Sequence, residues 1–282
     1  MAIIENIKID VGMVNYNCDI SILNSSVKSI LKKTKYLNKL IICDNGSNKE
    51  NLDFLSGLEK LEKIKIIYRK QSIANSSIAK GEGLNNVIKF FETQYGSFVE
   101  NDGVLIMKDW DEYLINEIES RNLDIIGNEH ASKKQDRKIN ESFTTFSIFK
   151  TQSLLKAKIN FLPKGVKENF IYGEDTGYQM IEKLDEDKAE ILNLKSGRLK
   201  ETIHFNFDGF AEYQYQNKPI FAHFGRGSSH SRVTFEKKKF FLDFLKYCYR
   251  FFTSKLLYSS GSNIFETKIK LYIWNKIVKK IL

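Results

Sequence analysis

Proline is scarce. Only Pro163 and Pro219 occur in 282 residues, and no low-complexity linker precedes about residue 232. Cysteine is scarce too. Cys18, Cys43 and Cys248 are odd in number, far apart and without CxxC spacing. That argues against a disulfide framework or a structural zinc site and suits a reducing cytoplasm. The opening residues show no basic segment followed by an apolar one, so no signal peptide is expected. No run of about 18 apolar residues exists, so no membrane-spanning helix is expected. What the chain does hold is 42% hydrophobic and 13% aromatic residues, enough for a sizeable core. The length fits one large domain, or a domain with an appendage.

The net charge is +9, and its placement is uneven. From Glu236 to Leu282 there are eleven Lys/Arg against three Asp/Glu, an excess of eight that leaves residues 1–235 nearly balanced. A basic balance often marks a nucleic-acid binder. Here the excess sits in a tail, and nothing matches a nucleic-acid module.

Short apolar strands alternate with helices through the first half. Ile7–Asn15, Leu40–Cys43, Ile64–Tyr68, Phe98–Val99 and Asp124–Gly127 read as strands. Helices are predicted through about Lys33 (capped by Asp19 or Ser21), over Leu52–Leu61, Leu84–Thr93 and Trp110–Arg121. Lys70–Gly83 reads as a polar connection. This alternation predicts a mostly parallel sheet flanked by helices. The second half mixes more. Ser142–Phe149, Ala189–Leu194 and Ile220–His223 read as strands, and Thr151–Lys158 as a helix. Another helix is predicted through Lys183, with Asp175 or Thr176 near its start. Residues 204–217 read as a loop.

One stretch organises the chemistry. The strand ending at Val99 runs into Glu100–Asn101–Asp102–Gly103. Unpartnered carboxylates are expensive to bury, so the acids belong at the strand end, facing a cleft. Side chains at i and i+2 of an extended chain point to the same side. Two carboxylates there make a site for a hard divalent cation, which takes oxygen ligands. A polar turn is the other reading, since Asn, Asp and Gly are turn formers. Asn15–Tyr16–Asn17 and Asp44–Asn45–Gly46–Ser47 also follow apolar strands. Topology places all three groups on one rim, where open α/β sheets bind ligands.

Five patterns then stand in order: VNYN (Val14–Asn17), ICDNGS (Ile42–Ser47), FVENDGVLIMKDWDEYL (Phe98–Leu114), FIYGEDTGYQM (Phe170–Met180) and HFGRGSS (His223–Ser229). Together, over about residues 7–230, they resemble the family 2 glycosyltransferases. These are GT-A-fold, metal-dependent, inverting enzymes that use nucleotide-sugars. The resemblance implies a GT-A-like domain over residues 1–232 and a basic helical extension over 233–282.

It also implies roles. Asn15 and Asn17 line the nucleotide pocket. Asp44, with Asn45, contacts the base; an Asx-turn is the plainer reading of Asp44–Ser47. Gly83 and Asn85 match a Gly/Asn-rich helix start near the donor. Glu100–Asn101–Asp102 occupies the D-x-D position, with Glu in place of the first Asp. Asp102 is then the expected ligand for Mn²⁺ or Mg²⁺, and Glu100 ligates or reaches the ribose or a metal-bound water. Asp175, beside Glu174, is the general base that takes the proton of the attacking hydroxyl, a role worth ~10²–10⁴-fold in rate. The helix start is expected to keep it ionised; the plainer reading is that Glu174 and Asp175 cap that helix. His223 is a metal or phosphate ligand, or a hydrogen-bonded strand end, and Arg226 pairs with phosphate. Trp110 is a sugar-stacking floor or core.

The implied donor is a UDP-hexose or UDP-N-acetylhexosamine, then dTDP-rhamnose. The implied acceptor is a glycan or a lipid-linked glycan in surface polysaccharide assembly. The tail interleaves Lys with Phe, Leu, Ile and Trp. It reads as a helix lying on an anionic membrane surface, or as one packing on the domain or on a second copy in a homo-oligomer. The expected location is cytoplasmic and peripheral on the membrane. Two other functions compete. A nucleotidyltransferase needs a Gly-rich basic signature after strand one, which VNYN lacks. A non-catalytic membrane-surface scaffold would retain only the tail.

Overall fold

The computed structural model describes residues 6–70, 76–128, 143–167, 170–174, 176–177, 179–184, 188–196, 201–205, 210–224 and 264–282. The tail before Ile264, Asp175, Arg226 and the rest of the Gly/Ser-rich segment after Phe224 lie outside the described residues.

Among the described residues, ten strands form one sheet in the order β3-β2-β1-β4-β7-β6-β10-β11-β12-β5. They are β1 (Ile9–Asn15), β2 (Leu37–Asp44), β3 (Ile64–Tyr68), β4 (Tyr95–Val99), β5 (Gly103–Leu105), β6 (Ile125–Asn128), β7 (Phe146–Lys150), β10 (Ala189–Ser196), β11 (Ala211–Tyr215) and β12 (Lys218–His223). The hairpin β8 (Lys164–Lys167) and β9 (Phe170–Glu174) stands apart as a two-stranded sheet. β3, β2, β1 and β4 run parallel, and β6 with β10 is parallel again. β7 is antiparallel to both β4 and β6, and the β10-β11-β12-β5 edge alternates. The sheet is thus mixed and largely parallel, as the alternation of elements predicts.

Period-two burial sends alternate side chains to two cores. Ile9, Val11, Met13, Leu40 and Ile42 face one side, with α1 (Ile20–Lys33), α2 (Lys49–Leu58), α4 (Trp110–Ser120) and the C-terminal α7 (Ile264–Ile281). Ile41, Cys43, Phe98 and Phe149 face the other, with α3 (Ser76–Val87), α5 (Thr151–Lys156) and α6 (Gln179–Lys183). α1 is capped as its sequence predicts: the Asp19 carboxylate accepts from Ser21 N at 2.9 Å and Ile22 N at 3.3 Å. Trp110 is fully buried, and its indole N–H donates to Thr34 Oγ1 at 3.1 Å, so it is core.

Three of the differences from the sequence reading have a clear physical cause. α3 begins at Ser76, inside the stretch read as a polar connection. Gly81 and Gly83 lower its intrinsic propensity, but both sit where a helix touches other atoms closely. A Cβ on Gly81 would lie 2.5 Å from the Phe161 carbonyl oxygen, and one on Gly83 2.8 Å from the Val14 methyls. Residues 211–215, read as loop, are a buried strand. Its Glu212 is buried because its carboxylate accepts from the Ile203 and His204 N–H groups, each at 3.0 Å. α6 begins only at Gln179, after Gly177 turns the chain with φ 86°. Gly173 and Glu174 end strand β9 instead. A helix N-terminus therefore does not follow Glu174 directly.

α7 packs on the domain. Trp274 and Val278 are buried in the same cluster as the β1 residues. Lys32 Nζ donates to the Leu282 carbonyl at 3.4 Å, and Asn275 Nδ2 to Ser21 Oγ at 3.3 Å, which fixes α7 along α1. No helix among the described residues is long and apolar enough to cross a membrane.

The glycine packing gives opposite expectations for two helical glycines. Gly81→Ala should destabilise the protein by about 1–3 kcal/mol, because backbone cannot yield to the new methyl. Gly57→Ala, on α2 with open space at its Cβ, should stabilise it by about 0.5–1 kcal/mol. Equilibrium denaturation of the two variants measures both; equal signs would contradict the close approach of α3 to Phe161.

Candidate metal and donor site

The carboxyl ends of β1, β2, β4 and β12 share one rim. The chain winds outward from β1 to β3 and then crosses back to β4, so β1 and β4 flank a topological switch point. Asn15 ends β1, Asp44 ends β2, Glu100 follows β4, and His223 ends β12.

Glu100, Asn101 and Asp102 link β4 to β5 in a tight turn, in which Gly103 N–H donates to the Glu100 carbonyl at 3.1 Å. β5 then pairs with β12, setting Gly103 opposite His223. A side chain at Gly103 would strike the Phe221 ring, so glycine lets the two strands close. The result is a cluster drawn from distant parts of the sequence. His223 Nε2 lies 2.9 Å from Glu100 Oε2 and 2.8 Å from Asp102 Oδ1. Lys80, from α3, places Nζ 2.5 Å from Glu100 Oε1. Potential ligand atoms of Glu100, Asp102 and His223 all lie within 4.8 Å of one another.

The charges set each other. Burial pushes the Glu100 carboxyl up, but Lys80 and His223 outweigh it and hold the acid well below the usual carboxylate range. Burial pushes His223 down, but Asp102 and Glu100 outweigh it and raise the imidazole to about 10. Without a bound cation, His223 is therefore an imidazolium donating to the carboxylates. Tyr213 is raised by burial and then by Glu100 and Asp102, which keeps it a neutral phenol. Cys18, whose Sγ lies 3.7 Å from the Asn101 carbonyl oxygen, is raised by burial and then by Asp102. Both effects favour its neutral thiol form.

The donor set fits a divalent cation. Two carboxylates suit Mg²⁺ or Mn²⁺, and the imidazole shifts the preference toward Mn²⁺. Asp102 and His223 are the convergent pair, and Glu100 shares its two oxygens between His223 and Lys80.

Beside the cluster, a polar network stiffens the rim. Asn15 Nδ2 donates to Asp44 Oδ1 at 2.9 Å, and Asn15 Oδ1 accepts from Asn101 Nδ2 at 3.0 Å, bridging the switch point. Asp44 Oδ1 also accepts from Ser47 Oγ, and Oδ2 from the Gly46 and Ser47 N–H groups. The Asx-turn is thus present and engages both oxygens of a buried carboxylate. Asn45 Nδ2 donates to the Ala79 carbonyl at 2.7 Å and its Oδ1 accepts from Arg69, which ties α3 to the rim. Asn17 accepts from Asn48 N–H at 2.7 Å. Asn85 bonds Asn160 and the Phe161 N–H, holding the loop under α3.

The structure thus brings together Asn15, Asn101, Asp44 and Asn45 in one network, and Glu100, Asp102 and His223 in one cluster. Asn85 serves a separate contact. Glu174 is described by its backbone alone, opposite Lys164 in the β8–β9 ladder. Thr176, next to Asp175 in sequence, donates from Oγ1 to the Ser77 carbonyl at 2.8 Å. Ser77 lies one helical turn before Lys80. Lys80 is the site residue that sequence reasoning missed. Its signal was weak, a single lysine among glycines in a stretch read as loop.

No curated protein matches the chain by sequence. Among solved structures, Staphylococcus aureus TarS (S. aureus TarS) is similar at a TM-score of 0.50 and 16% identity, over 66% of this chain and 35% of that one. Its 1–349 fragment in complex with UDP-GlcNAc gives a TM-score of 0.48 and 15% identity, over 66% and 56%. The mannosyltransferase PcManGT from Pyrobaculum calidifontis, in complex with GDP-Man and Mn²⁺, gives 0.46 and 10%, over 65% and 54%. The chain spans about a third to three-fifths of the length of these structures. The family model for glycosyl transferase family 2 matches residues 10–183, more than half of the sequence, and with that match and this GT-A-like sheet the chain belongs to glycosyl transferase family 2.

Proposed function

We propose that the chain transfers a sugar, with inversion, from a nucleoside-diphosphate sugar to a hydroxyl of a glycan or lipid-linked acceptor in surface polysaccharide assembly. The observation that carries this reading is the convergence of Glu100, Asp102 and His223 at the mouth of the β1–β4 switch point. A UDP-hexose or UDP-N-acetylhexosamine is the first choice of donor and dTDP-rhamnose the second, following the family resemblance.

Each part of the site has a task in this reaction. Asp102 and His223, with Glu100, hold a divalent cation, which supplies positive charge against the departing diphosphate. Lys80 adds a fixed ammonium at the same cleft. Asn15, Asn17, Asn45 and Asn101 shape the nucleotide side of the rim. The bonds Asp44 makes assign it to holding the base-side loop; a base contact by Asp44 requires that turn to open. Arg226 follows His223 closely in sequence and is assigned to phosphate. Asp175, beside Glu174, takes the proton of the acceptor hydroxyl as that oxygen attacks the anomeric carbon opposite the leaving group. The bond from Thr176 to Ser77 supports this, since it anchors the neighbour of Asp175 one turn from Lys80.

The basic tail completes the reading. α7 spends its apolar side on the domain, so a contact with an anionic membrane rests on its outward lysines, Lys268, Lys276, Lys279 and Lys280. Such a contact is electrostatic and does not require insertion.

Four outcomes test these assignments. Thermal melting with a panel of sugar nucleotides should rise most for a UDP-sugar with Mn²⁺ present. Asp175→Asn should keep that shift and lose turnover by about 10²-fold or more; turnover at the wild-type rate removes Asp175 as the base.

The pH dependence of Mn²⁺ binding has a definite sign. His223 must release its proton before Nε2 can ligate, so the affinity should rise with pH between 7 and 9, by up to about tenfold per unit. Calorimetry in buffers of different ionisation enthalpy reads the released proton. Affinity that is flat with pH would mean that the carboxylates bind the cation without His223.

Cosedimentation should show binding to phosphatidylglycerol vesicles, little to phosphatidylcholine, and loss at high salt. Reversing Lys276, Lys279 and Lys280 to Glu should weaken it, at about 1 kcal/mol per lysine removed. Equal binding to neutral vesicles argues against an electrostatic contact.

A further inference from the structure

The C-terminal helix reaches the cation cluster through one aromatic contact. Phe224 follows His223 directly, beyond the β12 ladder. Two kinds of tether hold it. Its N–H donates to the Asp102 carbonyl at 2.8 Å. Its ring lies edge-on to the Trp274 indole of α7, with centroids 5.3 Å apart at 89°. Phe205 and Phe210 close the cage around the indole at 4.8 and 5.2 Å, and Lys270 Nζ caps the Phe224 ring at 4.5 Å. Trp274 and Phe224 are both fully buried. The indole N–H has no hydrogen-bond partner among the described residues, so Trp274 is held there by packing. A second route runs through α1. α7 is bonded to Ser21 and Lys32, and Ser26 Oγ on α1 reaches the Glu100 carbonyl at 3.4 Å.

We propose that α7 is a component of the cation site, and that Trp274 is a positioning residue which holds Asp102 and His223 in ligating register through Phe224. This rests on the reading of Glu100, Asp102 and His223 as the cation site. The physical reason is the shape of the strand end. His223 has one ladder partner on each side, Gly103 and Ala211. Past it, the bond to Asp102 and the aromatic cage help to fix the backbone direction. Removing the indole opens a cavity beside the Phe224 ring, and the surrounding groups relax into it. That motion swings the backbone between the two ligands. Outer groups that orient ligands typically set metal affinity by about 10–100-fold.

Trp274→Ala in the full chain tests this, read by Mn²⁺ titration and by hydrogen exchange of the Phe224 amide in metal-free protein. Leu55→Ala serves as the control. Leu55 is fully buried in the same core, but on α2, away from the cluster. The expected result is that Trp274→Ala weakens Mn²⁺ binding about 10-fold or more and speeds exchange at Phe224. Leu55→Ala should lose melting temperature but keep both values. Trp274→Phe should restore most of the Mn²⁺ affinity. A folded Trp274→Ala protein with wild-type Mn²⁺ affinity and wild-type Phe224 protection overturns the proposal, as does an equal loss of both in Leu55→Ala. If the wild-type chain takes up no Mn²⁺, the cation reading fails, and exchange at Phe224 still decides the link between helix and strand end.

Discussion

Two carboxylates set side by side in a cleft repel each other, and the rest of the site exists to offset that. His223 stands between Glu100 and Asp102, and Lys80 takes the outer oxygen of Glu100. Two negative and two positive groups then balance without any ligand. Removing one partner of a fully buried pair costs about 3–5 kcal/mol, because the remaining charge is stranded. Here Glu100 and His223 keep about a fifth of their side-chain surface exposed, so that range is a ceiling. The balance explains how the acids can sit at the end of a buried strand. On the proposed cation reading, the proton on His223 is the positive charge that a divalent ion would displace.

The position of the cluster follows from the sheet. A strand that runs apolar through Val99 can carry acids only where it emerges, and the crossover from β3 back to β4 puts that exit beside the exit of β1. The two exits are joined by amides. Asn15 gives one face to Asp44 and accepts from Asn101 with the other. An amide that both donates and accepts is suited to bridging two loops that need opposite partners. The loop after β2 is held the same way, by an aspartate whose oxygens are taken up within its own turn and by Asn15. The rim is therefore tied together across the ends of β1, β2 and β4.

Much of this arrangement was legible from local pattern. Apolar runs placed β1 to β4, Asp19 announced α1, and the polar residues after each strand placed the rim. The acids of the E-N-D turn and the histidine after IFA were visible as residues, though only pairing of β5 with β12 brings them within bonding distance. What escaped had a long-range cause. α3 starts early because two glycines, poor in any isolated helix, allow close contact with Phe161 and Val14. β11 hides a buried glutamate that accepts from Gln214 within the strand and from the Ile203 and His204 N–H groups outside it. Lys80 could not be assigned before α3 was known to face Glu100.

The tail shows how composition can point two ways at once. Lysines interleaved with Trp, Ile and Leu describe equally a helix lying on a bilayer and one lying on its own domain. The burial of Trp274 commits this side of α7 to the domain, since the indole is enclosed by Phe205, Phe210 and Phe224. The lysines are not consumed by that packing. Lys279 and Lys280 sit in the last turn, where the helix dipole favours positive charge, and they remain exposed. A helix with its apolar side committed inward and its charge outward can meet an anionic surface without leaving the protein. Because its inward side rests on the strand end that carries His223, a surface contact on α7 would bear on the same element that supports the cation cluster.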